Sequence, residues 1–124
     1  MQDKNLDDYT QKLGAKGVTF AVRAGKSTRN TEDYVGIVSG YFNNETGMGY
    51  SFVSILHVRQ DYRRCKIGNL LMKKVIAYSK ELGLGAVRLQ VKKMNAPAIS
   101  FYKHLGFEII GCVDGKYDMQ YTIP

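Results

Sequence analysis

A basic segment stands immediately before the most regular helical pattern in the sequence. Arg63, Arg64 and Lys66 are followed by Gly68, and apolar residues then recur at helical spacing. The first turn of a helix has main-chain N–H groups without partners in the helix and the positive end of the helix dipole, so it attracts anions. A glycine there lets an oxyanion approach the main chain closely. These residues predict a diphosphate site, and the alternative is a solvated basic loop that leads into an ordinary helix.

The segments on either side of the basic loop predict a strand before it and a long helix after it. Residues 49–58 are rich in β-branched and aromatic types. Between Ile67 and Leu82, apolar residues recur every three or four positions, and Gly83 stands where a helix C-cap is expected. The loop at 59–66 is therefore expected to carry its charges to a helix N-terminus.

A second helix is predicted from its capping residues. Asn95 is a good N-cap residue, Pro97 suits the first turn, and Gly106 is typical of a C-cap. Phe101 and Tyr102 belong to the apolar stripe between these caps.

The rest of the chain is predicted to consist mostly of strands. Further strands are predicted at 18–22, 34–42, 87–91, 107–113 and 116–123. Asp114-Gly115 predicts a tight turn between the last two of these strands. Residues 6–13 are predicted to form a short helix that ends at Gly14. The order (α)βββαβαββ predicts an α/β (α+β) fold, in which helices flank a mixed, mainly antiparallel sheet.

The composition indicates one ordinary globular domain, 1–124. Of the 124 residues, 44% are hydrophobic and 23% are charged, and no segment approaches the ~20 apolar residues of a membrane helix. The polar, acidic N-terminus differs from a secretory signal, so the cytoplasm is the expected location. Cys65 and Cys112 have no metal-ligand spacing and are predicted to be reduced thiols. The net charge of +7 predicts attraction to polyanions, including nucleic acid, acidic membranes and phosphorylated cofactors.

Two segments resemble the GNAT family of N-acetyltransferases. Residues 63–68, Arg-Arg-Cys-Lys-Ile-Gly, match the family signature Arg/Gln-x-x-Gly-x-Gly/Ala at Arg63 and Gly68. Lys66 departs from it, because it stands where the first glycine is expected. Residues 95–107 are similar to the family's other acetyl-CoA segment, which ends in Tyr-x-x-x-Gly-Phe. The resemblance implies a GNAT-like acyl-CoA N-acyltransferase fold, shortened at the N-terminus.

The resemblance also implies a reaction, the direct transfer of acetyl from acetyl-CoA to an amine of a small molecule or a protein, with no metal. Main-chain donors near Leu56 and Val58 are expected to stabilise the oxyanion. Tyr102 is expected to protonate the departing thiolate as general acid, and the alternative is a tyrosine that packs the helix on the sheet. The residues expected to bind the cofactor are Leu56, Val58, Arg63, Arg64, Lys66, Ile67, Gly68, Asn69, Asn95, Ala98 and Phe101.

Neither the residues nor the resemblance identifies the general base. The strand before the basic loop contains Ser54 and His57 but no carboxylate. His57 has a suitable unperturbed pKa, and a base acting through water or Glu45 from the adjacent turn are the alternatives.

Other functions fit parts of the same sequence. A CoA-sensing or partner-binding domain of the same fold would accommodate Lys66 and the absent carboxylate. The charge of +7 and the nine tyrosines superficially fit a nucleic-acid-binding module, but the basic residues cluster at one helix start. Neither nucleic acid nor a membrane is therefore expected as a partner. A homodimer or a partner chain is one way to cover the sheet edge that the short N-terminal segment leaves open.

Overall fold

The computed structural model describes residues 6–13, 17–24, 34–42, 49–60, 62 and 66–124. These residues form a seven-stranded mixed sheet and two helices. The strands are β1 (Leu6–Leu13), β2 (Gly17–Ala24), β3 (Tyr34–Tyr41), β4 (Tyr50–Val58), β5 (Ala86–Lys92), β6 (Glu108–Val113) and β7 (Lys116–Thr122). The helices are α1 (Ile67–Glu81) and α2 (Ala96–Leu105).

The sheet has the strand order β1-β2-β3-β4-β5-β7-β6. Neighbouring strands are antiparallel except β4 and β5, which are parallel and are joined through α1. The predicted series of elements is confirmed from β2 to β7. Among the described residues, neither helix is long and apolar enough to cross a membrane.

The first element corrects a prediction, because Leu6–Leu13 is a strand and not a short helix. The segment pairs with β2 over its whole length, from Leu6 opposite Ala24 to Leu13 opposite Gly17. Its sequence has few apolar residues and no clear helical stripe, so local propensity is weak and main-chain pairing with a neighbouring strand decides the conformation. The antiparallel meander therefore has four strands and not the predicted three.

Helix α1 covers one face at the centre of the sheet. Ile67, Leu71, Met72 and Val75 are buried in the main core, where burial of each such side chain stabilises the fold by about 1.5–3 kcal/mol. The helix approaches β3 closely at Gly36, where a Cβ atom would lie only 2.7 Å from Ile67 Cγ2. A larger residue at that position would push α1 away from the sheet.

One buried polar contact ties the C-terminal half of α1 to β4. The hydroxyl oxygens of Ser51 and Ser79 are 2.8 Å apart. Ser79 Oγ donates its proton to the Val75 carbonyl at 2.8 Å. Because a serine hydroxyl has one proton, Ser51 must donate to Ser79, and both buried hydroxyls are satisfied.

A bulge in β4 decides which face each of its last residues occupies. Gly40 pairs with Val53 and Ser39 with Ile55, so Ser54 is an extra residue without a partner in β3. The extra residue reverses the alternation of faces. Leu56 and Val58 consequently pack against the core on the α1 side, whereas Ile55 is exposed on the other face.

The second helix and the final hairpin form as predicted. Asn95 caps α2 by accepting a hydrogen bond from the Ala98 N–H at 3.3 Å, and Gly106 ends the helix at φ 108°. Asp114 and Gly115 have φ angles of 52° and 78°, as a type I′ turn requires. The side chain of Cys112 on β6 is a free, exposed thiol, whereas Cys65 lies outside the described residues.

Candidate functional site

The parallel strands β4 and β5 separate before they end. They are paired only from Tyr50–Ala86 to Val53–Leu89. Beyond that point β4 stays paired with β3 as far as Val58, and β5 stays paired with β7 as far as Lys92. The bulge at Ser54 lies at the point of separation and turns the strand away from its neighbour.

The separation leaves an opening through the sheet of about 510 Å³. It is lined by 53–56 of β4, 89–92 of β5, Asn95, Ala98, Tyr102 and Lys116. On β5, Val91 belongs to the buried face and Lys92 to the exposed one. The opening therefore leads from the helix-covered face of the sheet to its other face.

A groove of about 620 Å³ lies beside this opening, between α2 and the first turn of α1. Its lining consists of 56–58 of β4, Lys66, Gly68, Asn69, Asn95, Pro97, Ala98, Phe101 and Tyr102. The groove and the opening share Leu56, Asn95, Ala98 and Tyr102. They are therefore two parts of one continuous cleft, with Tyr102 at the junction.

Most of the residues predicted to bind a cofactor lie around this groove. Leu56, Val58, Lys66, Gly68, Asn69, Asn95, Ala98 and Phe101 all line it. Ile67 is only 1% exposed because its side chain belongs to the core, so only its main chain can face a ligand. Arg63 and Arg64 lie outside the described residues.

The start of α1 has an unusual backbone at Lys66. This residue is the N-cap, with φ 60° and ψ 30°, and its side chain makes no capping hydrogen bond. That left-handed conformation costs an L-residue about 1–2 kcal/mol and costs glycine nothing. The chain thus adopts, at a lysine, the conformation that a glycine would adopt without strain.

Gly68 lies where the two helices pack closely. A Cβ atom at this position would lie 3.1 Å from Cζ of Phe101 on α2. The aromatic ring would therefore have to move by a few tenths of an ångström to accept a side chain there. This contact is a second reason for a glycine in the first turn of α1. The first reason, predicted from the sequence, is that a glycine lets an anion approach the main chain.

Tyr102 is held by neighbouring aromatic rings where the groove meets the opening. Its ring centroid lies 5.2 Å from that of Phe101 and 5.6 Å from that of Phe107, both in edge-on geometry. Burial raises the pKa of the Tyr102 hydroxyl above its usual value of 10.0. The side chain is therefore protonated at neutral pH and can donate a proton or a hydrogen bond.

The candidates for general base lie on β4 and beyond it. His57 is exposed and lines the groove. Ser54 is also exposed, and its hydroxyl donates to the Ser39 carbonyl at 3.2 Å. Glu45 lies outside the described residues, and no described carboxylate lines either part of the cleft.

Sequence reasoning missed three polar residues of the opening: Gln90, Lys92 and Lys116. Strand alternation could have placed them on the exposed face, but only the separation of β4 from β5 brings them to a cavity. The described part of the chain contains no cluster of three or more His, Cys, Asp or Glu side chains able to hold a metal ion.

Comparison with curated proteins finds acetyltransferases. An uncharacterized N-acetyltransferase of Schizosaccharomyces pombe is 37% identical over 62 residues, which is 50% of this chain and 38% of that protein. Streptothricin acetyltransferase of Streptomyces lavendulae is 34% identical over 62 residues, which is 50% of this chain and 33% of that protein. The aligned region thus spans well under half the length of these relatives.

Solved structures share the fold at low sequence identity. PaiA N-acetyltransferase from Thermoplasma acidophilum, solved in complex with coenzyme A, has a TM-score of 0.72 at 18% identity, covering 86% of this chain and 61% of that one. A protein of Klebsiella pneumoniae described as an acyl-CoA N-acyltransferase has a TM-score of 0.75 at 13% identity, covering 98% and 99%. The predicted acyl-CoA N-acyltransferase fold is confirmed.

The family model for "Acetyltransferase (GNAT) family" matches residues 2–107, which include the groove, the helix N-terminus and α2. The match covers most of the chain and agrees with both the relatives and the fold. The chain therefore belongs to the GNAT family of acetyltransferases.

Proposed function

We propose that this chain binds acetyl-CoA in the groove beside α1 and transfers the acetyl group directly to an amine that enters through the opening between β4 and β5. The observation that carries the proposal is the continuity of the cleft, which runs from the first turn of α1 to the opening with Tyr102 at the junction. Coenzyme A in the complex of the Thermoplasma protein supports the choice of cofactor.

The first turn of α1 supplies the site for the diphosphate. The N–H of Leu70 donates to the Lys66 carbonyl at 3.1 Å, so the N–H groups of Ile67, Gly68 and Asn69 precede the first intrahelical bond. No side chain caps these groups at Lys66, and the first turn contains no acidic residue. Uncapped N–H groups and the helix dipole both favour an anion here. Arg63 and Arg64 are proposed to add guanidinium contacts.

The exposed edge of β4 supplies the site for the pantetheine arm. Leu56 and His57 are paired with β3 on one side, and β5 has already separated on the other. The amides of the arm can therefore pair with this edge as an added strand would. Asn95 uses its side-chain oxygen to cap α2, so its amide protons are directed elsewhere and can donate to the same arm.

The chemistry follows from these positions. The amine nitrogen attacks the thioester carbonyl, the C–N bond forms, and the C–S bond breaks as the oxyanion collapses. Main-chain N–H groups near Leu56 and Val58 stabilise that oxyanion, and Tyr102 gives its proton to the thiolate of CoA. His57, a water molecule or Glu45 removes the proton from the attacking amine. Orientation of the amine at the carbonyl supplies the largest part of the acceleration.

A thermal shift tests the binding half of the proposal. At about 100 times its dissociation constant, acetyl-CoA should add ~2.7 kcal/mol to the free energy of unfolding. Arg63→Ala should diminish the shift, whereas Lys80→Ala, at an exposed lysine near the far end of α1, should leave it unchanged. The proposal would be refuted if millimolar acetyl-CoA did not raise the melting temperature.

A non-catalytic, CoA-sensing domain is the second candidate, favoured by the absence of a described carboxylate from the cleft. Both candidates predict the thermal shift, so turnover separates them. A catalytic chain releases CoA thiol in the presence of an amine, and Tyr102→Phe slows the release. A sensing domain binds acetyl-CoA and releases no thiol with any amine of a broad panel.

A further inference from the structure

Two lysines face each other at the opening, on the side of the sheet away from the helices. Lys92 at the end of β5 and Lys116 at the start of β7 are directly paired across the two antiparallel strands. Both side chains are exposed, and both line the opening. The two side chains therefore leave the sheet side by side at the entrance to the cleft.

This pair of like charges is unfavourable for the fold itself. Like charges directly opposite each other on neighbouring strands destabilise a sheet. Among the described residues that line the opening with Lys92 and Lys116 there is no carboxylate, and Lys93, next in sequence, lies over the Tyr117 ring. An anion held between the two ammonium groups would remove the repulsion.

The described acid on the same face of β7 is already engaged. Asp118 follows Lys116 by two residues on β7, and its Oδ1 accepts a hydrogen bond from Gln90 Nε2 at 2.9 Å. Asp118 lines a neighbouring groove, which shares Leu89 and Gln90 with the opening, and does not itself line the opening. The polar side chains that line the opening are those of Ser54, Gln90, Lys92, Asn95, Tyr102 and Lys116. The two lysines are the only charged groups among these described residues, and their ammonium groups are suited to bind an anion.

We propose that the acetyl acceptor is a small amine that also carries an anionic group, a carboxylate or a phosphate. Lys92 and Lys116 hold that group at the entrance, and the amine then extends into the opening toward the thioester beside Tyr102. The same two charges repel polycationic amines. This inference rests on the proposed acetyl transfer and adds the substrate class.

Acceptors that differ only in charge provide the test. With acetyl-CoA saturating, release of CoA thiol is measured for phosphoethanolamine against ethanolamine, for amino acids against their carboxamides, and for spermidine. We expect kcat/KM for at least one anionic acceptor to exceed that of its neutral counterpart about tenfold, which corresponds to ~1.4 kcal/mol. The phosphate and carboxylate pairs show which anion is preferred. Because the lysines are exposed, the preference should weaken as salt is added.

Substitution of the two lysines provides the second arm. Lys92→Gln combined with Lys116→Gln should reduce kcat/KM for the anionic acceptor to the level of its neutral counterpart and leave the thermal shift by acetyl-CoA unchanged. Lys80→Gln is the matched control and should change neither quantity. Charge reversal by Lys116→Glu should raise the relative kcat/KM for spermidine.

Three outcomes would overturn the inference alone: a neutral or cationic amine preferred, an anionic preference that survives the double substitution, or no anionic amine acetylated by a protein that binds acetyl-CoA. The absence of any thermal shift with acetyl-CoA overturns the proposed function first, and this inference with it. The two failures are therefore distinguishable.

Discussion

Replacement of Lys66 by glycine should change the stability of the free protein and its affinity for acetyl-CoA in opposite directions. Lys66 has φ 60° and ψ 30° at the N-cap of α1 and also lines the groove. The left-handed backbone costs an L-residue about 1–2 kcal/mol. Glycine removes that strain but adds unfolded-state entropy worth about 0.4–1 kcal/mol. The net expectation for Lys66→Gly is a gain of roughly 0.5 kcal/mol, or about 2 °C in melting temperature.

The effect on binding has the opposite sign because the ammonium group is lost. Two unit charges 4 Å apart interact by about 1 kcal/mol in bulk water, which is the appropriate limit for an exposed side chain. Lys66→Gly should therefore raise the dissociation constant of acetyl-CoA about fivefold. Titration calorimetry at low and high salt measures this change, and the difference between variant and wild type should shrink at high salt.

Lys66→Ala is the matched control for this experiment. Alanine removes the charge but keeps the strained backbone, so its acetyl-CoA affinity should match that of Lys66→Gly while its melting temperature stays below it. The reasoning is refuted if Lys66→Ala binds acetyl-CoA as tightly as wild type. It is also refuted if the glycine variant melts below the alanine variant.

Three further substitutions test the groove and the core. Gly68→Ala should weaken acetyl-CoA binding and lower the melting temperature by a few degrees, because the displacement of Phe101 by the new methyl group, at about 1–3 kcal/mol, outweighs the ~1 kcal/mol gained in helix propensity. Ala77→Gly, on the exposed face of α1, measures that propensity difference without the contact. Tyr102→Phe should reduce kcat about 100-fold or more. Burial raises the pKa of Tyr102 in the folded state, so the protonated tyrosine contributes its full stability below pH 10 and loses that contribution as the pH rises through the folded-state pKa. Tyr102→Phe should therefore lose less stability than the wild type in alkaline denaturation. Ser79→Ala should cost about 1–3 kcal/mol in urea unfolding by stranding the Ser51 hydroxyl, and Ser51→Ala in the same chain should recover part of the loss.

Local sequence was sufficient to predict the elements that are stabilised by interactions between residues close in sequence. Three such features span only a few residues each and can be recognised in the sequence alone: the apolar spacing of α1, the cap of α2 at Asn95 and the Asp114-Gly115 turn. The two segments that resemble the GNAT family also predicted the fold and most of the residues that line the groove. The strand β1 was missed because pairing with β2, and not local propensity, determines its conformation.

The tertiary structure alone decided how the cleft is formed. The bulge at Ser54 depends on the register between β3 and β4, and the separation of β4 from β5 depends on two different strand partners. Lys92 and Lys116 are far apart in sequence, and only strand pairing places their charges together. The periodicity of apolar residues indicates only which side of one strand or helix a residue occupies. It does not predict contacts between segments that are distant in sequence. The sequence therefore determined the elements from β2 to β7 and the family, whereas the fold determined β1, the opening and the placement of the charges at its entrance.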